Sequence, residues 1–220
     1  MSYHLYNKFQ HLLVLLLDIF VCCKLIEYEL VGAQNFTKDQ HRHKRSDLSD
    51  NIFSGYHHYQ ETADLFHELA DRYPNTVEYG SIGQSVEKRE LFYLQLTKDI
   101  SSPATYSRPK VKLVGNMHGD ETIGRENIIY LAMFLLNNQD NERCQAILEN
   151  MRLYLMPSLN PDGFEKSTEG MCDFSKGRNN ADGIDINRDF PDQFVKQSGL
   201  RHHAVETSAM MNWITENKYV

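Results

Sequence analysis

The sequence predicts an α/β domain, a mixed and mostly parallel sheet with helices on both faces. Three observations carry this. Short apolar or alternating runs are separated by segments of helical period, the runs end in loops rich in Gly and Asn, and from about Ile52 onward no repeat or low-complexity linker interrupts the pattern. In such folds ligands gather beyond the carboxyl ends of central strands, so those loops are where chemistry is expected.

The elements follow in order. Thr62, Leu65, Phe66, Leu69, Ala70 and Tyr73 recur at helical spacing, and Pro74 stops the run. Residues 76–79 and 91–97 read as strands joined by a turn-rich connection over 80–89. Residues 111–114 form a third strand that leads directly into Gly115-Asn116-Met117-His118-Gly119-Asp120-Glu121. A long apolar-periodic helix comes next, through Ile123, Ile128, Ile129, Leu131, Ala132, Leu135 and Leu136. Residues 151–156 are a further strand ending in a turn cluster over 157–163. Ala209, Met210, Trp213 and Ile214 share one face of a last helix, which starts near Thr207 or Ser208.

Composition narrows the function. With 41% apolar residues, 12 Tyr and 11 Phe, the chain has the material for a sizeable core. A net charge of −7 excludes a broad nucleic-acid surface, which needs a Lys/Arg excess. A small or peptidic substrate suits that balance better.

Residues 1–33 read as a signal peptide. Lys8 supplies the positive start, residues 12–17 and 19–23 an apolar stretch broken by Asp18, and Val31-Gly32-Ala33 a cleavage site. The stretch is too short and interrupted for a comfortable membrane span, although an uncleaved signal-anchor stays open as the alternative. Residues 34–51 form a polar segment with a glycosylation acceptor at Asn35 and a basic run over 41–45, read as a propeptide or as a solvated charge run. Residues 52–220 are then the catalytic domain, and secretion or the secretory lumen is the expected location. Removal of the first segment leaves Cys144 and Cys172, expected to form a structural disulfide in that compartment.

Two constellations carry chemistry. His118 and Glu121, three residues apart between a strand and a helix, offer an imidazole and a carboxylate to one side. Both are good zinc donors, and a catalytic zinc needs three protein ligands and an open position. Downstream, Arg178 and Arg188 stand ten residues apart, with Asn187 beside the second. A guanidinium grips a carboxylate bidentately, so Asn187 and Arg188 suit a peptide's terminal carboxylate. Arg178 suits a developing oxyanion. Taken alone, each set also reads as an ordinary polar loop with surface ion pairs.

Together these motifs resemble the zinc metallocarboxypeptidases, and most nearly the regulatory subfamily of carboxypeptidases D, E, M and N. The resemblance rests on His118-Gly119-Asp120-Glu121, on Gly177-Arg178-Asn179-Asn180 and on Asn187-Arg188-Asp189-Phe190-Pro191. The run over 82–91 and Ser158-Leu159-Asn160-Pro161-Asp162-Gly163 extend it. The resemblance implies zinc held by His118 and Glu121, and Asp185 accepting the free N–H of His118. It implies Arg178 at the oxyanion and Asn187 with Arg188 at the substrate carboxylate. Asp189 replaces the Asn of many members, an acceptor beside Arg188 that would weaken carboxylate binding.

The family's third zinc ligand, a His, its general-base Glu and a closing Tyr have no match in this chain, and it is expected to be a C-terminally truncated form. His202 and His203 precede the last helix and are expected to be exposed loop residues rather than ligands. The implied reaction is removal of one C-terminal residue, Lys or Arg, from peptides or proteins, with no nucleic-acid partner and no membrane attachment visible in the sequence. Two other readings stay open: a zinc amidohydrolase or deacylase of the same fold, and an inactive carboxypeptidase-like binding protein or truncated isoform.

Overall fold

The computed structural model describes residues 55–170, 176–191 and 202–216. The signal segment, Asn35, the basic run and Cys172 lie outside the described residues. Cys144 is fully buried on the third helix.

Helix α1 (Tyr59–Arg72) opens the described domain. The Glu61 carboxylate accepts the N–H of His58, and Leu65, Phe66 and Leu69 turn inward. Strands β1 (Val77–Gln84) and β2 (Glu90–Leu96) form a hairpin, β3 (Lys110–Val114) follows a 3₁₀ turn at Pro103–Ser107, and α2 (Ile123–Asn137) and α3 (Glu142–Asn150) lead to β4 (Arg152–Met156). A short α4 (Pro161–Lys166), a 3₁₀ turn at Ile186–Arg188 and α5 (Val205–Glu216) complete the set. None of these helices is long and apolar enough to cross a membrane.

The sheet order is β1-β2-β4-β3. β1 and β2 pair antiparallel, as do β2 and β4, while β3 and β4 run parallel. The fold class is the expected mixed one, but the parallel share among the described residues is smaller than the sequence suggested. The reason is the length of each connection. Five residues between β1 and β2 can only turn the chain back, whereas two helices between β3 and β4 give room for a parallel return.

Side chains alternate across the sheet, giving two cores. Phe92, Leu94, Leu96, Val111, Leu153 and Leu155 pack with α1, α2 and α3 on one face. Leu91, Tyr154 and Met156 pack with Met210 and Trp213 of α5 on the other, where Tyr93 stacks on Trp213 at 5.1 Å. Helices therefore cover both faces, as expected.

Four elements depart from the sequence reading. β1 runs on to Gln84 rather than stopping at Tyr79, because Gly80 leaves room for the Tyr93 ring; a Cβ there would lie 2.6 Å from it. α3 and α4 were not expected. Each starts on an Asn whose side chain accepts backbone N–H groups, Asn141 from Arg143 and Cys144, and Asn160 from Gly163. α5 begins at Val205, ahead of Thr207.

Candidate functional site

The parallel pair β3–β4 builds the site at its carboxyl end. Beyond the strands its two loops continue to bond, Leu159 N–H to the Gly115 carbonyl at 3.2 Å and Asn160 N–H to the Asn116 carbonyl at 3.1 Å. The chain after β3 then curls through His118 and Glu121 into α2.

Three glycines let a third segment approach. A Cβ on Gly119 would lie 2.1 Å from the Gly163 carbonyl carbon, one on Gly163 2.4 Å from the Gly177 oxygen, and one on Gly177 2.6 Å from the Gly163 oxygen. Backbone touches backbone here, and only glycine permits it. The buried Asn160 side chain adds a bond to the Arg178 carbonyl at 3.1 Å. The Arg178 segment is thereby fixed against the His118 loop.

The side chains that meet there are four of those the sequence singled out. His118 is buried, with Nδ1 3.0 Å from Glu121 Oε1 and Nε2 3.0 Å from Asp185 Oδ1. A neutral imidazole donates from only one nitrogen. Donation to Asp185 leaves the Nδ1 lone pair facing the Glu121 carboxylate. Arg178 bridges both acids, 3.1 Å from Asp185 Oδ2 and 3.5 Å from Glu121 Oε1. Burial pushes the Asp185 carboxyl up, but the bonds from His118 and Arg178 outweigh it and hold its pKa below the usual carboxylate value. Glu121 stays largely exposed.

Asn187 joins through its backbone, whose N–H bonds Asp185 Oδ1 at 3.0 Å. The side chains of Asn187 and Arg188 are exposed beside it, with the Arg188 guanidinium 3.4 Å from the Asn187 carbonyl.

Two expectations are corrected. Asp189 is not an acceptor for Arg188: it is buried, its Oδ2 accepting the Ala204 N–H at 2.7 Å. Burial raises its pKa, and the Ala204 bond with the neighbouring His203 brings it below the ordinary value. His203 is correspondingly not a free loop residue, since its Nδ1 lies 2.6 Å from the Asp189 carbonyl oxygen. His202 is exposed, as expected.

Sequence reasoning missed Asn116, whose buried side chain sits under the loop. Its signal was an Asn directly after Gly115 at a strand end, where a left-handed turn is often taken.

A mixed sheet carries at its carboxyl end one imidazole, His118, between the carboxylates of Glu121 and Asp185, with an arginine alongside, a donor set of the kind seen in metallohydrolases. Comparison with known proteins agrees. Residues 62–220 match the zinc carboxypeptidase family, and the chain belongs to it. It is 38% identical over 168 residues to carboxypeptidase D from Homo sapiens, covering 75% of this chain and 12% of that one. Carboxypeptidase M from Mus musculus is 34% identical, with 75% of this chain and 37% of that one covered. The carboxypeptidase N catalytic chain from Mus musculus is 32% identical, with 75% and 41% covered. The chain thus spans well under half the length of these relatives.

Among solved structures, a carboxypeptidase A from Helicoverpa armigera aligns with a TM-score of 0.62 at 24% identity, over 81% of this chain and 46% of that one. Thrombin activatable fibrinolysis inhibitor aligns at 0.65 and 21% identity, over 77% and 46%. These likenesses bear on the fold.

Zinc is the cofactor that family membership implies. His118 and Glu121 fit it as a pair, an imidazole nitrogen and a carboxylate oxygen already converging, with the other ring nitrogen engaged by Asp185. Among the described residues no group of three His, Cys, Asp or Glu side chains is arranged to hold a metal.

Proposed function

We propose that this protein acts, with a completed ligand set, as a zinc carboxypeptidase that removes one C-terminal residue, Lys or Arg, from peptides or proteins. The observation that carries the reading is the His118 imidazole held by Asp185 and turned toward Glu121, with Arg178 alongside. His118 and Glu121 would hold the metal, which when bound supplies Lewis-acid polarisation of a carbonyl and a lowered water pKa.

The remaining roles belong to this chain's side chains. Asp185 keeps the proton of His118 on Nε2 and so presents Nδ1 as the donor atom. Arg178 stabilises the negative charge that develops on the scissile carbonyl oxygen. Asn187 and Arg188, exposed on a turn fixed by Asp185 and Asp189, bind the substrate's terminal carboxylate and so confine cleavage to the last residue. Among the described residues no third His, Cys, Asp or Glu joins the pair in a group arranged to hold a metal. A catalytic zinc takes three protein ligands, so turnover would need a further donor and a base, and the pair alone would bind zinc weakly. Residues 1–33 support a secretory route, and Cys144 with Cys172 a disulfide formed there.

Zinc analysis of the chain, combined with release of free arginine from a peptide ending in Arg, tests this. We expect weak zinc binding that depends on His118, and negligible turnover; stoichiometric tight zinc with rapid release would contradict the partial set. Preference for an acyl-amino acid over the Arg peptide in a form carrying all three ligands would favour an amidohydrolase instead.

A further inference from the structure

Asn116 stands between β3 and the His118 loop with φ of +50°, in the left-handed region that Asn tolerates better than other side chains. It is almost wholly buried, and both polar atoms of its carboxamide are engaged. Nδ2 lies 2.8 Å from the His118 carbonyl oxygen, 3.0 Å from that of Gly119 and 3.1 Å from that of Glu121. Oδ1 accepts the Ser158 hydroxyl at 2.7 Å.

One amino group thus gathers the carbonyls of His118, Gly119 and Glu121, both members of the donor pair and one of the two residues between them. Carbonyl oxygens drawn this close repel one another unless a common donor lies among them. The Ser158 hydroxyl, anchored in the loop after β4, keeps the carboxamide from flipping its oxygen toward those carbonyls.

We propose that Asn116 is a positioning residue for zinc binding, acting through the backbone of His118 and Glu121. It curls the loop so that the two side chains leave on one side, Nδ1 and Oε1 3.0 Å apart. This rests on the zinc reading of the pair. The role needs two properties at once, tolerance of positive φ and an N–H donor. Glycine supplies the first without the second. Aspartate keeps the shape but turns a charged acceptor toward three carbonyl oxygens.

The test uses the full 220-residue chain. Zinc affinity is measured by competition with a chromophoric chelator for wild type, N116G, N116D, S158A and H118A, with circular dichroism and thermal unfolding run alongside. N116G is expected to bind zinc about 10-fold more weakly than wild type with a native spectrum, and N116D about 100-fold more weakly, the range found for groups that support metal ligands. S158A is expected to lose a few-fold. Wild-type affinity in N116G overturns the proposal, whether or not its melting temperature falls. If N116G does not fold, unchanged affinity in S158A overturns it. If H118A binds zinc as wild type does, the zinc reading itself fails. Amide exchange at Glu121 in the zinc-free chain then decides the loop claim: N116G should exchange about 10-fold faster, and an equal rate would refute it.

Discussion

Two polar clusters flank α4, and they are built on opposite rules. Behind the site, the β1–β2 turn is clamped by buried acids. Asp162, fully buried, accepts the Ser85 hydroxyl at 2.8 Å, the Glu87 N–H at 2.9 Å and the Arg89 guanidinium at 2.7 Å. Glu206, equally buried, accepts the Val86 N–H at 3.2 Å and the Asn180 amide at 2.9 Å. Both carboxylate oxygens of each acid are engaged. In front, Glu121 is 66% exposed and its Oε1 faces His118 and Arg178 at 3.0 and 3.5 Å. The first cluster is saturated and holds the fold. The second keeps capacity for something further. The run over 82–91, which contributed to the family resemblance, belongs to the clamp and so to structure rather than to chemistry.

The largest effect expected in breaking this contrast is at the clamp. Asp162→Ala strips three donors of their acceptor inside the protein and leaves Arg89 without its buried partner. About 3 kcal/mol of unfolding free energy should be lost. Glu206→Ala, which frees two donors and no full charge, should cost about 2 kcal/mol. Urea midpoints measure both. A loss below about 0.5 kcal/mol in either would mean that the clamp is dispensable.

An intermediate effect is expected at Asp189, which joins the Ile186–Arg188 turn to the start of α5. Its folded pKa lies below the ordinary carboxylate value, so its stabilisation is present above pH about 4, where the unfolded group ionises, and is lost as pH falls through the folded pKa. Asp189→Asn should cost about 1 kcal/mol at pH 7, the worth of a hydrogen bond to a charged group less what the amide retains. The difference from wild type should shrink below pH about 4 in unfolding curves taken as a function of pH. A gap that stays constant down to pH 2 would mean that the carboxylate charge contributes nothing.

How much of this was visible in the sequence depends on what each residue does. The strands, α1 and α2 were legible because burial imposes period on apolar residues, as at Leu65, Phe66, Ile128 and Ile129. His118, Glu121, Arg178 and Asp185 stood out by residue type and motif, and the fold brings their side chains together. Asp189 was misread, since its partners His203 and Ala204 come from fourteen and fifteen residues downstream and no local pattern announces them. Asn116 was overlooked for a similar reason. Its side chain bonds backbone carbonyls, contacts that leave no trace in residue type beyond an Asn after Gly115 at a strand end. The short helices α3 and α4 were missed because a six- or nine-residue helix shows too little period, although Asn141 and Asn160 marked both starts.

The smallest stability effect is expected where the chemistry is expected to be greatest. Glu121→Gln exchanges one oxygen of an exposed carboxylate for an amide and keeps the side chain's length. In the zinc-free chain the charge is mostly in water, and its contacts to His118 and Arg178 resemble surface pairs, which contribute little. Unfolding free energy should therefore stay within about 0.5 kcal/mol of wild type. Zinc affinity should fall at least about 10-fold, because an amide oxygen is a far poorer donor to a divalent ion than a carboxylate. Paired measurement of urea midpoint and zinc competition gives both numbers from one preparation. A stability loss approaching that of Asp162→Ala would erase the contrast between the clusters, and unchanged zinc affinity would remove Glu121 from the donor set.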